Sequence, residues 1–293
     1  MEQASLWVDE REERALLGLL DRLEVKKVSW ERFLQKVGDP MAASRLASAK
    51  GGRSLLHLAI LDNRLDVVQT LRKDPSLSFR RDLFGLSPIE MAQLLNRKEA
   101  LHFLRPPSEA AHVPALPQLK CFEYLPHPIF EACEGFRQVL SYTAKAKRKD
   151  KIPASKIWMG IYFDKEIRNG AHPPVSICHI NDKIGYGVFA DKKVAPCTFV
   201  GEYTGVVQER SPKQLKEKKY CLRYTLWEGK KNFTIDAEEK GNFTRFINHS
   251  AAPNLSLQSV YWRGLPRMIF VSMKEIPEGE QLTFDYGPLF WKQ

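Results

Sequence analysis

The chain has 293 residues, 43% of them hydrophobic and 27% charged, with 45 Lys and Arg against 35 Asp and Glu. That length allows two domains with separate cores, and the composition is that of a soluble globular protein. No apolar run approaches the roughly 18 residues needed to cross a bilayer, so no membrane partner is expected.

The N-terminal MEQASLWVDEREERALL carries acids and lacks the basic-then-apolar order of a secretory signal. Residues 3–37 read as amphipathic helices, with Leu6, Leu16, Leu17, Leu20, Leu23, Trp30, Phe33 and Leu34 at near-helical spacing. Next come two related stretches, GRSLLHLAILDNRLDVVQTL from Gly52 and GLSPIEMAQLLNRKEALHFL from Gly85. A shift of 33 superposes Gly52 on Gly85, Ser54 on Ser87, Ala59 on Ala92, Asn63 on Asn96 and Leu71 on Leu104. A turn followed by two helices at that period resembles the ankyrin repeat, and His57 falls where that repeat's own histidine belongs, which makes it structural. Two units bury too little by themselves, so the preceding helices are expected to cap them.

Prolines recur from Arg105 to Pro128 and mark a linker. A helical stretch, IFEACEGFRQVLSYTAKAK, follows it. From about residue 156 the texture becomes short β-rich segments: VSICHI, YGVFA, TFVGEYTGVV, CLRYTLW, FTIDA, RMIFVSM and QLTFDYG. The expected fold is α+β in two domains, a helical repeat stack and a domain of small antiparallel sheets, not a doubly wound α/β fold. The expected boundaries are 1–105 for the helical repeats and 106–155 for the Pro-rich linker and helical segment. The β-rich domain with a short aromatic tail then takes 156–293.

Five scattered cysteines (Cys121, Cys133, Cys178, Cys197, Cys221) form no CxxC pair. They argue against a disulfide framework or a zinc cluster and for reducing, intracellular surroundings. The positive charge is uneven: residues 1–110 hold 18 Lys and Arg against 16 Asp and Glu, residues 111–293 hold 27 against 19. Runs such as KAKRKDK (145–151) and KQLKEKK (213–219) read first as solvated faces or linkers, and direct nucleic-acid binding is left open.

Four segments carry chemistry in order: KIGYGVFA (183–190), GEYTG (201–205), RFINHSAAPN (245–254) and QLTFDYG (281–287). Alone, GYG would be a hairpin turn and NHS a polar turn. Together they resemble the signature segments of the SET-domain protein lysine methyltransferases, over about residues 175–293. The resemblance implies transfer of a methyl group from S-adenosylmethionine to a lysine amine in a narrow dry channel.

On that resemblance Gly185, Tyr186 and Gly187 give a turn whose backbone a cofactor can approach, since glycine has no side chain in the way. Arg245, Phe246, Asn248 and His249 line the cofactor pocket; Asn and His offer the donors and acceptors that a zwitterion and an adenine edge require. Ser250, Pro253 and Asn254 fix the loop. Tyr286 and Tyr203 are the catalytic pair, and Tyr220 or Tyr224 adds a third channel hydroxyl. Phe290 and Trp291 are expected to close over cofactor and channel. Phe284, where a tyrosine would limit transfer to one methyl, implies di- or trimethylation. Asp285 is structural.

Where zinc-bearing relatives have a cysteine after NHS, this chain has Ala251, and no CxCxxxxC cluster follows Tyr286, so no zinc is expected. The zinc-free form resembles bacterial SET proteins, implying a bacterial cytoplasm or export into a host cell and its nucleus. The substrate is then a protein with an exposed lysine, whether a histone, a histone-like protein or a ribosomal one, and the repeats would hold a protein partner. The rival reading is an ankyrin-based binding module with a non-catalytic SET scaffold.

Overall fold

A computed structural model describes residues 10–104, 122–210, 220–226 and 233–287. The chain divides into two compact units, residues up to Ser108 and residues from Glu109.

In the first unit, α1 (Glu10–Glu24) and α2 (Trp30–Val37) bury Leu20, Leu23, Trp30 and Phe33. The Ser29 hydroxyl starts α2 by accepting from the Arg32 N–H. Then α3 (Leu55–Leu61) and α4 (Leu65–Leu71) recur residue for residue 33 positions later as α5 (Pro88–Leu94) and α6 (Lys98–Leu104). The turns recur too: Gly52 and Gly85 take φ of 63° and 87°, Asn63 and Asn96 take 56° and 50°.

The first helix of each pair starts with the same reciprocal cap built from different chemistry. Ser87 N–H donates to the Glu90 carboxylate at 2.9 Å, whereas Ser54 N–H donates to His57 Nδ1 at 3.2 Å. Because Nδ1 accepts, Nε2 carries the hydrogen and donates to the Leu86 carbonyl at 3.0 Å, tying the first repeat to the turn of the second. His57 is fully buried, and burial lowers its pKa to about 4.

The second unit begins with β1 (Glu123–Tyr124), followed by α7 (Cys133–Arg148), α8 (Ala154–Tyr162) and α9 (Asp164–Asn169). The strands are β2 (Val175–Asn181), β3 (Gly185–Ala190), β4 (Phe199–Glu202), β5 (Val206–Glu209), β6 (Cys221–Arg223), β7 (Phe233–Asp236), β8 (Lys240–Gly241), β9 (Asn248–His249), β10 (Leu255–Trp262), β11 (Leu265–Ser272) and β12 (Thr283–Phe284). They form small sheets ordered β4-β11-β10-β12-β9, β5-β7-β6, β2-β3 and β1-β8.

Three expectations are corrected. The sheets are not all antiparallel: β12 runs parallel to both β10 and β9, and β1 runs parallel to β8. These are pairings of one or two residues between segments distant in sequence, which no local turn announces. The Pro-rich stretch is not linker to its end, because Leu125 N–H donates to the Gly241 carbonyl at 2.6 Å and Leu125 O accepts from Thr204 at 2.8 Å. And the β-rich part does not open at 156, where α8 and α9 lie. The α8 sequence ASKIWMGIY is apolar on more than one face and so lacks a helical stripe. It packs on β10 through Gly160, where any side chain would run into the Tyr261 carbonyl.

Beneath the large sheet, Glu202 of β4 and Arg267 of β11 form a two-pronged ion pair with both side chains buried. Arg267 also lies over the Trp262 ring at 4.6 Å. Such a pair contributes less to net stability than its attraction suggests, but removing one partner would strand a buried charge.

Candidate active site

The β2–β3 hairpin turns at Gly185, whose φ of 78° lies in the left-handed region and whose Cβ position faces open space. Two residues on, Gly187 is hemmed in: a Cβ there would come within 2.6 Å of Gln281 Nε2 and Ile180 Cδ1 and 3.2 Å of Asn248 Nδ2. Gly185 is thus favoured by backbone conformation, whereas a side chain at Gly187 would have to displace the ends of Gln281, Ile180 and Asn248.

The 245–254 loop is knitted to that hairpin and to β12. Asn248 Nδ2 donates to the Tyr186 carbonyl at 3.0 Å. Thr283 and Phe284 register against Asn248 and His249, and Ser250 N–H donates to the Phe284 carbonyl at 3.2 Å. Asn254, nearly inaccessible, donates to Glu280 and to the Gln281 carbonyl, each at 2.9 Å, and accepts from Thr283 N–H at 2.9 Å. One buried amide thus fixes where β12 lies.

Three tyrosines meet beside this loop. Tyr203 follows β4, and its hydroxyl donates to the Tyr220 carbonyl at 2.9 Å. Tyr286 follows β12; its hydroxyl donates to the Ile247 carbonyl at 3.0 Å and its N–H to His249 Nδ1 at 3.2 Å. An aromatic chain links the pair: Tyr203 to Phe270 at 6.5 Å, Phe270 to Phe284 at 4.9 Å, Phe284 to Tyr286 at 4.8 Å. Burial, then the neighbouring Tyr220, pushes the Tyr286 hydroxyl up to about 12. Burial, then the nearby Cys221 thiol, raises Tyr203 as well. Neither phenol ionises near neutrality. Each already commits its hydrogen to a backbone carbonyl, so its oxygen presents lone pairs to an N–H donor.

Of the two alternatives for a third tyrosine, the structure brings Tyr220 to this cluster. Tyr224 is almost wholly buried, with its ring 6.1 Å from Phe130 and its hydroxyl beside the Glu202–Arg267 pair. Phe290 and Trp291 lie outside the described residues. Asp285 accepts from Gly287 N–H at 2.8 Å and sits 3.6 Å from His249 Nδ1, within the turn that carries Tyr286.

Arg245 is enclosed by rings. Its guanidinium stands 4.2 Å from the Tyr220 ring centre, 4.7 Å from Phe122 and 4.9 Å from Phe246. Its Nε is buried without a hydrogen-bond partner. Burial lowers its pKa from the ordinary value, opposed first by Tyr220. Phe122 escaped the sequence reading because it lies in the Pro-rich stretch; the only signal was its place before the apolar Tyr124 and Leu125. Among the described residues no group of three or more His, Cys, Asp and Glu side chains could hold a metal.

Residues 185–287 match the SET domain family. The chain is similar to the histone-lysine N-methyltransferase SETD2 of Mus musculus, 34% identical over 127 residues, covering 42% of this chain and 5% of that protein. It is also similar to EHMT1 of Homo sapiens, 34% identical over 132 residues, 44% of this chain and 10% of that one. SUV39H2 of Xenopus tropicalis is 35% identical over 125 residues, 39% of this chain and 31% of that one. Among solved structures, Chaetomium thermophilum Polycomb Repressive Complex 2 bound to GSK126 matches at 30% identity over 43% of this chain and 18% of that chain, with a TM-score of 0.37. The chain spans less than a third of the length of each of these relatives.

Proposed function

We propose that the second unit transfers methyl groups from S-adenosylmethionine to the side-chain amine of a protein lysine, in a histone or histone-like substrate, to the di- or trimethyl product. The observation that carries this reading is the meeting of Tyr203, Tyr220 and Tyr286 beside a loop bonded to the glycine hairpin. When bound, the cofactor supplies an electrophilic sulfonium methyl group. Two features fit its amino-acid end: the open space over Gly185, and the buried, unpartnered Nε of Arg245.

The chain's own residues then have distinct tasks. Tyr203 and Tyr286 hold the amine by accepting from its N–H groups. They cannot serve as tyrosinate bases near neutrality, so the lysine must arrive neutral, favoured by loss of water around it. Phe284 and Phe270 exclude that water. Asn248 acts on the cofactor site through the Tyr186 carbonyl that it fixes. For the first unit, the 33-residue recurrence supports an ankyrin-type stack that holds a protein partner.

The test is incubation of the intact chain with methyl-labelled cofactor and core histones or a whole-cell lysate, followed by mass spectrometry of labelled peptides. Label on lysine, absent with Tyr286→Phe, is the expected result. No labelled protein in any mixture would overturn the reading.

A further inference from the structure

The cation run at the end of α7 and the outer face of α8 are not used by this chemistry. Trp158, Ile161 and Tyr162, at positions i, i+3 and i+4 of α8, are 69%, 59% and 76% exposed. Three large apolar side chains standing together in water on one helix mark a surface made to be covered. Beside them, residues 145–168 contain eight Lys and Arg against three Asp and Glu, half of the whole chain's net charge of +10. One of those acids, Asp164, is already bonded to the Trp262 indole at 2.9 Å and to Arg263 at 2.7 Å.

The C-terminal end of α7 and α8 adjoin through Tyr261. Lys147 lies 4.8 Å over the Tyr261 ring, and Gly160 of α8 rests on the Tyr261 carbonyl. Ala146, Ile152, Ile157 and Tyr261 pack as one small cluster between them.

We propose that this face seats the protein on an anionic lipid surface. The charge requires an anionic occupant, which rules out a second copy facing the same patch, because like charges would meet. The apolar triplet decides which anionic occupant. Duplex nucleic acid presents phosphates and gives these side chains no apolar surface; a single strand would stack on Trp158 and Tyr162 and leave Ile161 in water. A headgroup layer accepts all three, with Trp and Tyr at the polar boundary and Ile reaching the acyl chains, while the exposed Lys145, Arg148, Lys149 and Lys151 stay among anionic headgroups. This is attachment from one side and needs no spanning helix.

The test is co-sedimentation of the intact chain with phosphatidylcholine vesicles, alone and with about 30% phosphatidylserine. The chain should sediment only with the anionic vesicles and be released at about 0.5 M salt, where charge attraction is screened. Trp158→Ala with Ile161→Ser should lower partitioning about tenfold through lost apolar burial, and Arg148→Glu with Lys149→Glu should do so about tenfold through charge. Both sites are exposed, so unchanged melting curves will show that the fold is intact. Equal sedimentation with neutral vesicles, or wild-type partitioning by both variants, would overturn the proposal. So would tighter binding to a single-stranded oligonucleotide than to the anionic vesicles, which would assign the face to nucleic acid.

Discussion

The Tyr203 hydroxyl is bonded to the backbone of Tyr220, not to its phenol. The segment that carries Tyr220 is therefore held at that carbonyl, which also accepts from Ala237 N–H at 2.9 Å. The Tyr220 ring, 37% exposed, is then positioned from its other side by Arg245. Backbone and ring are fixed by different partners, and mutations can separate them.

Arg245→Lys keeps a positive charge but cannot stack as a plane against three rings. Cofactor affinity is expected to fall about tenfold, the scale of one desolvated cation–π contact, with a smaller effect on the apparent affinity for the lysine substrate. Steady-state kinetics alongside cofactor calorimetry separates the two; unchanged cofactor affinity would remove Arg245 from the cofactor's amino-acid end.

Tyr286→Phe removes the hydroxyl and leaves the ring between Phe284 and His249, 4.8 and 5.5 Å away. A loss of at least ~10²-fold in turnover is expected, with cofactor binding nearly kept. Single-turnover rates at saturating cofactor are the measurement. Wild-type rates would remove Tyr286 from its assigned role.

Phe284 is 5% exposed and touches both Phe270 and Tyr286, so its edge forms part of the wall at which the amine would turn between transfers. Phe284→Tyr should shift product from di- and trimethyl-lysine toward monomethyl-lysine. Mass spectrometry of a peptide at exhaustive reaction reads this directly, and an unchanged product ratio would show that this wall does not set the count.

Turnover should climb with pH as the substrate lysine loses its proton, with no falling limb from Tyr286 until near pH 12. Stability moves the other way. The folded-state pKa of Tyr286 is raised above the ordinary 10.0, so its contribution is present below pH 10 and is lost as pH rises toward about 12. The loss is on the order of 2 kcal/mol. Melting temperatures of wild type and Tyr286→Phe should converge over that window.

His57 has the opposite sign. Its folded pKa is depressed from 6.5 to about 4, so its contribution is complete above pH 6.5 and is lost as pH falls through 4. The first unit should lose on the order of 3 kcal/mol over that range, visible as loss of protection of α3 and α5 amides in hydrogen exchange.

What was legible in the sequence follows a physical divide. The 33-residue recurrence and the GYG, NHS and DYG segments could be read because cap chemistry, left-handed glycines and buried amides restrict which residue types fit. The β10 strand, LSLQSVYW, went unread because its apolar positions are broken by Ser and Gln. The Glu202–Arg267 pair was not legible, since nothing local shows that two ions 65 positions apart will meet inside a sheet. Phe122 could not be connected to Arg245 without the fold, and the choice between Tyr220 and Tyr224 needed the direction of one short strand.

The insertion of β12 between β10 and β9 sets an order of events. Asn248 and His249 leave the ribosome well before residues 283–287, yet among the described residues their strand pairs only with that later segment. The tyrosine cluster therefore cannot exist on a nascent chain that has not yet released Tyr286, and the same insertion positions Phe284 and Tyr286 together. Methyl transfer, on this arrangement, would be switched on by a single late docking step, and a chain ending between Ser272 and Leu282 would lack it although β2 to β11 are all present.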